Sequence, residues 1–106
     1  MSTESYAGRE FLFRVDNGVV FRNSYSEDGS RLHWECLEGP FGSEEVELNV
    51  AEVAPGLFFV SWVEDSGMAI SHAMNLNSNT VHAFWSWQDQ DGRQGELHTG
   101  TLEEVA

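Results

Sequence analysis

His72 is the polar member of an otherwise apolar row of alternate positions, Met68, Ile70, Met74 and Leu76. Alternate side chains of an extended strand share one face, so this row places an imidazole among hydrocarbon. An imidazole titrates near neutrality and can move a proton or hold a polar ligand group. The plainer reading of the same placement is a core histidine hydrogen-bonded to a neighbour. Three indoles occupy similar rows: Trp34 with Leu32 and Cys36, Trp62 with Phe58 and Val60, and Trp85 with Val81, Ala83 and Trp87. Trp34, Trp62 and Trp85 are therefore candidate walls for an apolar or aromatic guest, with His72 as its polar contact. They could equally fill the interior themselves. A catalytic variant of this reading makes His72 the acid/base, with Glu35 or Glu64 orienting it, since a carboxylate beside an imidazole stabilises its charged form.

Other chemistry is poorly supported. Glu96 and His98 share a face two positions apart, with His82 in the preceding run, but no compact metal-ligand spacing accompanies them. No metal and no cofactor are expected. Ser61 and Ser71 have neither an elbow motif nor a paired acid. Cys36 stands beside Glu35, a carboxylate that does not favour a catalytic thiolate. The Gly39–Gly42 stretch lacks the pattern and the basic residue of a phosphate loop.

The elements that must position these residues are short β-type runs at nearly even spacing. Eight can be marked between Arg9 and Glu104: 10–15, 19–24, 31–38, 44–53, 57–64, 68–76, 80–87 and 94–103. Asp16-Asn17-Gly18 between the first two is a hairpin signal, with positive φ expected at both Asn17 and Gly18 in a type I′ turn. The run at 44–53 alternates acidic and apolar residues, with Val46, Leu48 and Val50 opposite Glu45, Glu47 and Asn49. Gln88 to Arg93 is a polar loop. No 3.6-residue periodicity competes. Consecutive antiparallel strands hide their edges most simply by closing. The expected fold is all-β, a single eight-stranded antiparallel up-and-down barrel over residues 9–106, with residues 1–8 as a flexible N-terminus.

Charge narrows the partners. Eighteen acidic residues face five arginines and no lysine in 106 residues, a formal net charge of −13. Phosphate backbones and anionic membranes are repelled by such a surface, so no nucleic acid and no membrane are expected as partners. A lysine Schiff base is excluded outright. A neutral or cationic ligand suits this chain better than an anionic one. A single cysteine, no signal-peptide pattern in Met1 to Tyr6, and no apolar run near the roughly 20 residues of a spanning helix lead to a cytoplasmic expectation.

Two strings carry a resemblance. Phe11-Leu12-Phe13-Arg14-Val15-Asp16-Asn17-Gly18 and Gly56-Leu57-Phe58-Phe59-Val60-Ser61-Trp62-Val63-Glu64 look like the core of the phenolic acid decarboxylases. Met74-Asn75-Leu76-Asn77 and Val81-His82-Ala83-Phe84 continue it. More closely still, the chain resembles the smaller MoaF-like proteins, named for a factor linked to molybdenum cofactor biosynthesis. Both groups are calycin, or lipocalin-like, barrels, in agreement with the strand count. The resemblance covers about residues 9–104. It implies tyrosines before the Asp-Asn-Gly turn, where this chain has Phe13 and Val15. An arginine that grips the substrate is replaced near Glu35, and an acid before the Gly56 run is replaced by Pro55. Tyr6 and Tyr25 do not restore the pair at that spacing. The expectation is a MoaF-like barrel that binds a small apolar or aromatic molecule in its lumen, without phenolic acid decarboxylation. The alternatives are a small lyase or isomerase using the same cavity, or a structural homodimer paired through exposed strands and marked by an outer patch around Phe41.

Overall fold

The protein's structure, a computed structural model, describes residues 5–105. Nine antiparallel strands follow one another: β1 (Glu10–Val15), β2 (Val20–Tyr25), β3 (Arg31–Glu38), β4 (Ser43–Glu47), β5 (Asn49–Ala54), β6 (Leu57–Val63), β7 (Ala69–Asn75), β8 (Thr80–Asp89) and β9 (Gly92–Glu104). No helix occurs among the described residues, and none is long and apolar enough to cross a membrane.

The order across the sheet is β4-β3-β2-β1-β9-β8-β7-β6-β5. Its two end strands, β4 and β5, are consecutive in the chain and joined by Leu48 alone, so the sheet curls into a nearly closed barrel. The all-β barrel expectation holds; the strand count rises from eight to nine because the run at 44–53 is broken. Val46 pairs with Leu32 of β3, whereas Val50 pairs with Val60 of β6. One straight strand cannot stay in register with two strands that are not neighbours, so it bends where it changes partner. The Leu48 amide turns out of both ladders and donates to the Ser30 carbonyl at 2.8 Å. Inward alternation then fails: Val46 is buried, but Val50 is exposed.

The β1–β2 loop also departs from expectation. Gly18 has a φ of 92°, but Asn17 does not share a positive φ. Gly18 N–H donates to Val15 C=O at 3.0 Å and Val15 N–H to Val19 C=O at 2.9 Å. This is a three-residue loop closed by a left-handed glycine, not a type I′ turn. The same bonds recur at Glu64–Met68, where Gly67 has a φ of 91°. Most of the loop expected at Gln88–Arg93 is strand. β8 and β9, at 10 and 13 residues, outlast neighbours of six or seven, and their shared tip is polar because water reaches both of its faces.

The interior is stacked in layers. One end is sealed by Tyr6, Phe11, Tyr25, Leu32, Val46, Phe58, Met74 and Leu102, all buried. Tyr6 lies in the segment expected to be a flexible N-terminus, of which residues 1–4 fall outside the described residues. Its ring nonetheless packs edge-on against Tyr25 and Phe58, at 4.8 and 5.2 Å between centroids, and its hydroxyl donates to Gly29 C=O at 2.6 Å. A buried phenol needs such a partner. Tyr6 and Tyr25 thus plug the sealed end, far from any role beside the Asp16-Asn17-Gly18 loop.

Candidate functional site

Toward the other end the layers do not fill completely. Register carries Asn23 opposite Trp34, Val60 opposite His72, and Ile70 between Trp62 and Trp85. These inward side chains leave a cavity of about 40 Å³ lined by Phe21, Asn23, Trp34, Phe41, Trp62, Glu64, Met68, Ile70, His72 and Trp85. Trp34, Trp62, Trp85 and His72, singled out from alternation alone, all meet there. The lumen is therefore mostly filled by its own rings, with space for a few waters or a compact head group. A shallower outer groove of about 440 Å³ shares Phe41, Met68 and Trp85 with the cavity and continues over Val19, Pro40 and Trp87.

Rings stand close on one wall. Phe21 lies 5.9 Å from Trp34, 5.9 Å from Phe41 and 6.1 Å from Trp85. Phe41 is thus part of the cavity wall, not the marker of an outer apolar patch. The exposed large apolar residues are instead Leu37, Val50, Val53, Phe59, Val63, Phe84 and Leu97.

The polar atoms are less settled. Asn23 Oδ1, Trp34 Nε1 and His72 Nδ1 are buried without a hydrogen-bond partner among the described residues. Their residues are 2%, 8% and 6% exposed, and all three line this one cavity. Each such atom costs about 1–3 kcal/mol of desolvation, and native interiors keep few of them. Trp62 Nε1 differs, donating to Glu64 Oε2 at 3.0 Å. Burial pushes the Glu64 carboxyl up, the Trp62 bond opposes this, and Glu44 adds like-charge repulsion.

His72 is stacked on Phe13 at 5.3 Å and meets Trp62 edge-on at 4.9 Å. Burial lowers its pKa to about 4, so it is neutral at neutral pH. A carboxylate partner would have raised that value. Glu35 cannot supply one, because it alternates with the inward Trp34 and is exposed on the outer face. Glu64 lines the same cavity but accepts its bond from Trp62.

A second histidine sits at the rim. His98 Nδ1 is 2.7 Å from Asp16 Oδ1 and Nε2 is 3.0 Å from Glu96 Oε1, with its ring 4.3 Å from that of Trp85. Burial lowers its pKa, but the two carboxylates more than offset this and raise it. With both nitrogens engaged and His82 exposed on the outer face, the histidines do not assemble a metal site. No group of three metal-ligating side chains occurs among the described residues. The cluster instead ties the β1–β2 loop to β9, where Asp16 also accepts from the Thr99 amide at 3.0 Å.

Asn23 escaped the sequence reading as a site residue. It occupies the same position in its row, between Phe21 and Tyr25, that His72 occupies between Ile70 and Met74, and the same logic applies to it. Phe41 left no such signal, since it lies outside the strands.

Residues 7–102 match the family model described as MoaF-like. Phenolic acid decarboxylase PadC of Bacillus subtilis (strain 168) is 24% identical over 85 residues, covering 76% of this chain and 52% of PadC. A Vibrio cholerae protein named "Probable phenolic acid decarboxylase" is 22% identical over 80 residues, covering 73% of this chain and 45% of its own. The chain thus spans about half the length of the curated relatives it matches. A crystal structure from Burkholderia vietnamiensis, described as a candidate beta-lactamase, superposes with a TM-score of 0.84 at 23% identity, covering 99% of this chain and 100% of that one. At that identity the likeness concerns the fold alone.

Proposed function

The chain belongs to the MoaF-like family, and from that premise we propose that it binds a small molecule, apolar or aromatic in its body, at the lumenal cavity. The observation that carries this reading is the convergence of three unpartnered buried polar atoms on one aromatic-walled space. A folded chain that tolerates such atoms gains when a guest supplies their hydrogen bonds. A compact polar head fits the cavity, and a larger apolar body lies along the groove past Phe41 and Trp87.

A lyase or isomerase reaction with His72 as acid/base is less favoured. A base held at about pKa 4 is mismatched to proton transfer near neutrality. The structural alternative, a homodimer, would use the outward Phe84 and Leu97, which pair directly across β8 and β9.

Binding is read by tryptophan fluorescence against a panel of small neutral and cationic aromatic molecules. At least one should quench an indole, and Asn23→Leu should abolish that response. Removing the buried amide should also stabilise the ligand-free fold by about 1–3 kcal/mol in urea denaturation, because its desolvation penalty disappears. Binding undiminished in Asn23→Leu, or no quenching across the panel, rejects the lumen as the site.

A further inference from the structure

We infer that the head group held in the lumenal cavity is a compact organic cation, an ammonium with short alkyl substituents and a nearby hydroxyl. This deepens the reading that the lumen binds a guest, and rests on it.

The walls come first. Phe21, Phe41, Trp34, Trp62 and Trp85 surround the space, and aromatic faces attract cations through the ring quadrupole, tryptophan most strongly. Glu64 adds a half-buried carboxylate whose only described bond is from the neutral Trp62 indole. A half-buried carboxylate without a described counter-charge gains from a cation that shares its cavity.

Unpartnered atoms set the rest of the head group. Asn23 Oδ1 is an acceptor, and His72 Nδ1 is one in the tautomer protonated at Nε2. Both suit an N–H donor. Trp34 Nε1 can only donate, so it requires an acceptor on the guest, which a hydroxyl provides. The lowered pKa of His72 keeps it uncharged and removes the repulsion an imidazolium would exert on a cation.

An anionic head group finds no cationic side chain in the cavity lining to hold it. The chain has no lysine. Arg9 bonds Glu104, Arg14 bonds Glu103, Arg22 bonds Glu10, Arg31 bonds Glu45, and Arg93 donates to Ser86. None of these arginines lines the cavity. The net charge of −13 further concentrates cations around the molecule.

Three probes of one shape and different charge test this: protonated dimethylethanolamine, neutral isoamyl alcohol, and isovalerate. Each is titrated into the intact protein at neutral pH while the indole N–H resonances of Trp34 and Trp62 are followed by NMR. The amine should bind about tenfold or more tightly than the alcohol, and isovalerate should not bind. Glu64→Gln keeps an acceptor for Trp62. It should weaken the amine about tenfold and leave the alcohol unchanged. Alcohol or isovalerate binding as tightly as the amine overturns the cation while leaving the lumen as a binding site. Amine affinity unaltered in Glu64→Gln overturns it as well. No indole response to any of the three overturns the cation, and the aromatic panel then decides separately whether the lumen binds anything.

Discussion

Acidification from about pH 7.5 to about pH 4.5 should cost the fold roughly 2–3 kcal/mol through His72 alone. In the unfolded chain its imidazole titrates near 6.5, and in the barrel burial holds it at about 4. Between those values the unfolded state takes up a proton that the native state refuses. Stability is therefore fully present above the unfolded value and falls as pH drops through this window. Other groups act in the same direction at lower pH. Arg22 holds Glu10, the Thr99 amide holds Asp16 and the Ser30 amide holds Asp28 below the usual carboxylate range. His98 works in the opposite sense, since its raised pKa contributes stability below the unfolded value that is lost as pH climbs through the folded one. Comparison with His72→Leu isolates the buried ring. Urea midpoints of the variant should fall less between the two conditions, by the amount assigned to His72. An equal fall in both proteins would show that this imidazole is accessible to protons. NMR titration adds a check, with His72 below its ordinary value and His98 above.

Phe13→Ala should destabilise the protein by about 3–5 kcal/mol. Phe13 is 2% exposed, stacks on His72 at 5.3 Å and meets Phe11 edge-on at 6.5 Å. Its ring also borders a void of about 20 Å³ whose lining includes Phe21, His72 and Trp85, three walls of the main cavity. Truncation removes the packing of a whole ring and enlarges the space beside the imidazole. Domains of this size carry about 5–15 kcal/mol in all, so the loss should be plain in urea. A small apolar molecule such as benzene should then recover part of it by filling the new space. A loss below about 1 kcal/mol would mean that the surrounding strands collapse into the gap.

Phe13 also bears on the resemblance to the decarboxylases. The resemblance places tyrosines at Phe13 and Val15, and here the first is a phenyl ring pressed on a neutral imidazole. The 24% identity to PadC, over 52% of that protein, does not by itself carry the reaction named there to this chain.

Much of the interior was legible along the chain. A period of two decides which side chains share a face, so the rows of Trp34, Trp62, His72 and Trp85 follow from alternation alone, though not which face is the lumen. Their meeting requires in addition that β1 pairs with β9 and that the sheet curls until its end strands approach. Glu35, expected as a candidate partner for His72, is instead carried to the outer face by its alternation with the inward Trp34. Local turn chemistry was less so, because Asn-Gly serves several loop types and the flanking hydrogen bonds choose among them.

Alternation and composition thus settled the fold class, the aromatic rows and the lack of lysine before any tertiary contact was known. Three-dimensional packing alone decided that β4 and β5 part at Leu48, that Asp16 reaches His98 across 82 positions, and that Tyr6 seals the barrel. It also decided how small the cavity is, and which of its polar atoms lack a partner. The reason is that pairing between distant segments and the residual volume among many rings depend on the whole closed sheet, and no local window of sequence contains either.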